Sequence, residues 1–166
     1  MKLALFILLI PFTFALITCK KDNTGSLVLN PCSQNALHEI VDTCLIAIPN
    51  AFSPNGDGLN DFMGVMFSCT IEGYSLVVKN SEEIIVFQAT DPFQMWDGTF
   101  GGQITEGDYD YTVSGNIEGA PFAFTGGISI ILGLSNGIDC SNCLFQSQYT
   151  IVEFDSNINS GEQFCY

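Results

Sequence analysis

The chain has no arginine, four lysines and a single histidine in 166 residues. Against 18 Asp and Glu the formal net charge is −14. The clustered cations that neutralise a phosphate backbone are missing, which excludes nucleic acid as a partner. One histidine and no arginine also remove the Ser-His-acid and Cys-His pairs and the guanidinium clamps behind most hydrolytic and phosphoryl-transfer chemistry. The expectation is therefore a non-enzymatic protein. Charged residues make up only 13% of the chain while 47% is apolar, so the low hydrophobicity that marks disorder is absent too. What is abundant is Phe (14), Tyr (5) and Gly (16), with much Asn, Ser and Thr and few helix formers. That composition predicts strands joined by tight turns and an all-β domain.

The N-terminus reads as an address. Lys2 precedes the apolar run from Leu3 to Ile17, which is too short for a comfortable membrane span of about 20 residues and fits a secretory signal. Leu16-Ile17-Thr18-Cys19 resembles a bacterial lipobox, in which cleavage falls just before a cysteine that is acylated through its sulfur. Residues 1–18 are then the signal peptide and Cys19 the lipidation site, with Thr18 standing where Gly, Ala or Ser is usual. Cysteine arithmetic agrees: seven cysteines less Cys19 leave Cys32, Cys44, Cys69, Cys140, Cys143 and Cys165. An even set of six in an exported protein allows three disulfides, in any of about 15 connectivities. The cleaved chain, residues 19–166, keeps three lysines and all eighteen acids.

Residues 19–43 read as a lipid-anchored tether followed by a short helix. The helix is predicted over residues 33–44, where Ala36, Leu37, Ile40 and Val41 stand at helical spacing behind Ser33 or Asn35 as N-cap. His38 lies there without a second ligand on its face, so it reads as a surface residue. Strands are expected at residues 44–48, 63–69, 73–79, 83–88, 109–116, 121–124, 128–132 and 149–154, punctuated by Asn-Gly, Asp-Gly and Gly-Gly turns. Short strands at this spacing indicate an antiparallel β-sandwich over residues 44–132. Residues 133–166 read as an extension held back onto it by cysteines. Cys140-Ser141-Asn142-Cys143 lacks the α/β context of a redox motif and the further ligands of a zinc site. Alternating acids such as Asp108 and Asp110 read as a solvated strand face.

The most specific stretch is Pro49-Asn50-Ala51-Phe52-Ser53-Pro54-Asn55-Gly56-Asp57-Gly58-Leu59-Asn60-Asp61-Phe62. Asn55, Asp57, Asn60 and Asp61 bring four oxygen-bearing side chains within seven residues, around two glycines. Such a loop either cages a hard cation, since calcium accepts about six to eight mixed oxygens, or holds its own backbone amides in Asx turns. Trp96, the only tryptophan, is expected as an inter-sheet anchor, with Asp97 closing the Asp-Gly turn beside it. Tyr109 and Tyr111 share one strand face, as core or as a carbohydrate platform.

This stretch resembles the opening signature of the gliding-motility-associated C-terminal domain, the type B sorting domain of type IX secretion in Bacteroidota. Residues 76–87 fall where that family has its central hairpin. Met95-Trp96-Asp97-Gly98-Thr99 resembles its Trp-Asp-Gly-Thr turn, Glu106-Gly107-Asp108-Tyr109-Asp110-Tyr111 its Gly-x-Tyr-x-Tyr strand, and Gly126-Gly127-Ile128-Ser129-Ile130-Ile131 its closing strand. Two departures stand out: Asn80-Ser81-Glu82-Glu83 replaces an Asn-Arg-Trp-Gly-like turn, and 34 residues follow Leu132 where the family domain usually ends the chain. The resemblance implies an Ig-like, fibronectin-like fold. The Cys19 reading makes the protein a surface lipoprotein of the outer membrane, lipid-anchored and facing the exterior, and the resemblance implies another surface or outer-membrane protein of the type IX secretion or gliding apparatus as its partner. Alternatives are a secreted type IX substrate or a carbohydrate-binding adhesin module. Cys44 and Cys69, which flank the family's first strand pair, are the favoured bridge, leaving Cys32, Cys140, Cys143 and Cys165 to the tail. Lys20-Lys21-Asp22 after Cys19 resembles the start of surface-exposed lipoproteins of the same phylum.

Overall fold

Tyr109, Tyr111, Val113, Gly115 and Ile117 alternate with Asp108, Asp110, Thr112, Ser114 and Asn116, a period of two that gives an extended chain one dry and one wet face. The computed structural model describes residues 31–133, 138–150 and 152–165 and places this segment at the centre of a five-stranded sheet. The strands are β1 Leu37–Val41, β2 Cys44–Ile48, β3 Ala51–Phe52, β4 Met66–Phe67, β5 Glu72–Lys79, β6 Ile85–Ala89, β7 Thr99–Phe100, β8 Gln103–Ile104, β9 Gly107–Ile117 and β10 Ala120–Ile130. The large sheet runs β3-β10-β9-β5-β6, antiparallel except for the parallel β3–β10 pair. A second sheet, β1-β2-β4, and the small β7-β8 hairpin complete an all-β sandwich.

The core lies between the sheets. Ile46 and Ile48 of β2 meet Leu76 and Val78 of β5, Tyr111 and Val113 of β9, and Ile128 and Ile130 of β10. Burying each such aliphatic side chain stabilises the fold by about 1.5–3 kcal/mol. Trp96 is 1% exposed and joins the layers. Its ring stands edge-on to Tyr109 at 5.1 Å between centroids and stacks on Phe87 at 6.1 Å. The aromatic edge and face charges favour both arrangements.

The helix expected over residues 33–44 is not formed. Residues 37–41 are β1, which turns tightly through Asp42 and Thr43 into β2. A four-residue spacing fits two strand pleats as well as one helical turn, and Leu37 and Val41 are the pair that packs against the core, while Ile40 is exposed. So short a helix would not be stable alone, whereas β1 gains a full antiparallel ladder with β2. Of residues 63–69 only Met66–Phe67 is strand, and Met63 instead exchanges backbone hydrogen bonds with Trp96. The strands expected at 121–124 and 128–132 are one, β10, which runs straight through Gly126 and Gly127. That glycine pair makes no turn: a Cβ on Gly126 would overlap the hydroxyl of Tyr111 directly across the ladder. Tyr149 and Phe154 are bridged across a turn rather than forming a strand.

Three disulfides are present: Cys44–Cys69, Cys32–Cys143 and Cys140–Cys165. They span 25, 111 and 25 residues, so each restricts the unfolded chain by about 3–5 kcal/mol on the chain-entropy account. Cys32–Cys143 holds the C-terminal extension on a second apolar cluster of Cys32, Ala51, Ile131, Cys143 and Phe145, while Cys140–Cys165 closes a loop within the extension against that cluster. The extension thereby covers the β3 edge of the large sheet. Residues 1–18 and Cys19, read as signal peptide and lipidation site, lie outside the described residues.

Candidate functional site

The glycines at 56 and 58 and Asn60 all take positive φ (81°, 91° and 50°), which curls residues 55–61 back on themselves. Gly is free to do so, and Asn tolerates it better than most other residues. Side chains then hold the curl. Asn55 Oδ1 accepts the Asp57 N–H at 2.9 Å, and Asp57 Oδ1 accepts that of Leu59 at 2.8 Å. The two oxygens of Asp61 accept the N–H groups of Gly56 and Gly58 at 2.7 and 2.8 Å. The Asn55 amide donates to Asp57 Oδ2 at 3.1 Å and Ser53 Oγ at 3.2 Å. These contacts are those of the Asx-turn alternative. They leave acceptor capacity unused, because an ionised carboxylate offers about four lone-pair sites.

Asn60 points the other way. Its Oδ1 accepts the N–H of Ser147 at 3.0 Å, and its Nδ2 donates to Ser160 O at 3.2 Å and Glu162 Oε1 at 2.8 Å. The loop is therefore docked on the C-terminal extension across about a hundred residues of sequence. Glu162 is only 5% exposed. Burial pushes its carboxyl pKa up, helped by the charges of Asp57 and Asp61 and opposed by hydrogen bonds from Asn60 and Ser53.

Asn50 makes a second joint. Buried at 2% exposure, it donates through Nδ2 to Gln34 O at 2.7 Å and Asn142 O at 2.9 Å, while its Oδ1 accepts the Leu144 N–H at 2.6 Å. It thus ties the segment before the sandwich to the segment after it. Neither Glu162 nor Asn50 was singled out from sequence. No local pattern marks Glu162, and Asn50 reads only as part of the Pro-Asn-Ala-Phe entry to the loop.

Elsewhere the structure separates what the sequence left open. Tyr109 and Tyr111 face the core, at 9% and 2% exposure, so they form no carbohydrate platform. Asp97 closes its turn by accepting the backbone N–H of Thr99 at 2.9 Å and the Thr99 hydroxyl at 2.5 Å, which hold its pKa below the ordinary aspartate range. Cys140 and Cys143 bond to different partners and so are not a redox pair. His38 lies on β1 with its ring 6.4 Å from that of Tyr149. The polar outer face of the large sheet forms an open trough of about 330 Å³ lined by Gln34, Lys79, Asp110, Thr112 and Thr125.

Comparison with known proteins returns one family. The family described as CHU_C, Type IX secretion signal domain, matches residues 46–128, half of the chain. No curated protein and no solved structure matches.

Proposed function

The chain belongs to the type IX secretion signal domain family, and from that premise we propose that it is a non-enzymatic surface lipoprotein acting as a protein-binding accessory of type IX secretion or gliding. Its link to type IX secretion follows from the family. The accessory role is supported above all by one observation: Cys32–Cys143 joins the chain before the matched region covalently to the chain after it. A terminal tag made to be cut away gains nothing from a bridge that keeps both sides attached after cleavage. The Asn50 and Asn60 contacts extend the same integration, so this domain serves as a body rather than a removable label.

Anchoring rests on Cys19. Its position after the apolar run and the pairing of the other six cysteines with one another both support acylation there. The outer membrane, outward-facing, is the proposed location. With acids outnumbering lysines 18 to 4 and no arginine, the surface suits a basic or cation-bridged protein partner.

The test is palmitate labelling and fractionation of the full chain in a host with an active type IX system, beside Cys19→Ala. The accessory reading expects labelled wild-type protein in the outer membrane, accessible to added protease, and an unlabelled, released variant. Unlabelled wild-type protein recovered whole in the medium would instead establish a secreted substrate.

A further inference from the structure

We propose, resting on the accessory role, that the protein partner attaches at the open edge of β6, laying alongside Ile85–Ala89 an extended segment with an apolar middle and a basic residue at each end. The two main sheets end in the edge strands β3 and β6, β1 and β4. β3 is covered by the C-terminal extension, where Leu144 O accepts the Asn50 N–H. β4 is only two residues long. β1 carries Glu39 and sets His38 beside Tyr149 of the extension. Covered, short or charged edges are how folded proteins keep other chains from adding to a sheet. β6 has none of these guards.

Its five residues, Ile-Val-Phe-Gln-Ala, include no charge and no proline. One register shift, between Val78 and Lys79 of β5, lies toward the hairpin turn and leaves Phe87, Gln88 and Ala89 in regular pairing. Beyond the ladder to β5, residues 85–89 make no backbone–backbone hydrogen bond among the described residues, and β7 comes near without pairing. Ile84 and Ile85, at the start of the strand, are 43% and 48% exposed. A row of free N–H and C=O groups beside exposed aliphatic side chains is the template for strand addition, in which main-chain bonds supply affinity and alternate side chains select the sequence. Charge decides the occupant. Glu82 and Asp91, both exposed, bracket the strand, and the one ion pair among the described residues, Lys79–Glu83, takes up neither. A second copy laid antiparallel about Phe87 would set Glu83 of each copy against Asp91 of the other, between chains that each carry a net charge of −14. A cation at each end of the incoming strand matches both acids instead.

The experiment is hydrogen exchange on the full, oxidised chain, followed amide by amide, with a synthetic peptide of alternating Thr and Val that is long enough to run from Glu82 to Asp91 and ends in lysine on both sides. Those amides of residues 85–89 that exchange freely in the chain alone should slow saturably with this peptide, while those of β1 do not change. The same peptide ending in glutamate should bind about tenfold more weakly. Glu82→Gln combined with Asp91→Asn should erase that difference while leaving the Phe93 N–H its acceptor. Ile85→Lys, at an exposed position, should weaken the slowing by placing a lysine on the edge. No slowing at millimolar peptide, equal slowing with the glutamate-ended peptide, or slowing confined to β1 overturns the proposal. So does a chain whose outward β6 amides are protected before peptide is added, because its own tether or a second copy then holds the edge. Anchoring is read separately, by palmitate labelling and fractionation, so the β6 site and the accessory role fail independently.

Discussion

Replacing Asn50 tests the claim that the segments flanking the sandwich are part of its folded body. Its amide makes three hydrogen bonds, to Gln34 O, Asn142 O and Leu144 N–H, at 2.6–2.9 Å in a 2% exposed position. Asn50→Ala strands all three partners. An unsatisfied buried group costs about 1–3 kcal/mol, and because these partners are only part-buried the lower end applies, for a total of about 3 kcal/mol. For a chain of this length that is a fall in Tm of about 6–12 °C. Asn50→Asp separates hydrogen bonding from packing. It preserves shape and the bond from Leu144, but turns a carboxylate oxygen toward two carbonyls, so it should cost at least as much as alanine at neutral pH and recover as the pH falls and the group protonates. Calorimetry of the oxidised proteins reads both variants. A drop under 2 °C for alanine, or an aspartate variant equal to wild type at pH 7, would refute the reasoning.

Trp96→Ala should cost about 3–5 kcal/mol in urea unfolding followed by circular dichroism, because it empties a site packed by Phe52, Phe87 and Tyr109; a loss under 1 kcal/mol would remove Trp96 as the inter-sheet anchor. Two pH limbs follow from the titrating groups. Burial pushes the Tyr111 phenol up to about 12 and raises that of Tyr74 as well, so their contribution is complete below the ordinary tyrosine pKa of about 10 and is lost as pH rises from there toward 12. Phenolate absorbance of these two should therefore appear only with unfolding. Asp97 titrates in the opposite sense: its pKa is held low, so its contribution is present above the ordinary aspartate value and lost as pH falls through the lowered one, and Asp97→Asn should flatten that part of the acid limb of a Tm-against-pH curve.

Much of this protein was decided locally. The alternation from Asp108 to Ile117 needs no partner to declare one wet and one dry face, and the all-β class follows from it and from the turn residues. Asn55, Gly56, Asp57 and Gly58 curl because of their own chemistry, and the even count of six cysteines announced three bridges before any pairing was visible. What lay beyond the sequence were relations between distant segments. Residues 37–41 have a spacing that serves helix and strand alike, and β2 lying alongside decided for strand. Gly126-Gly127 looks like a turn in one dimension, yet the Tyr111 ring across the ladder from Gly126 and the Gln34 side chain over Gly127 leave this stretch of strand no room for side chains. Asn50 and Glu162 carry no local signature at all. Their roles arise from partners about a hundred residues away, and hydrogen bonds at that separation exist only after the sheets have packed and Cys32–Cys143 has drawn the extension onto the β3 edge.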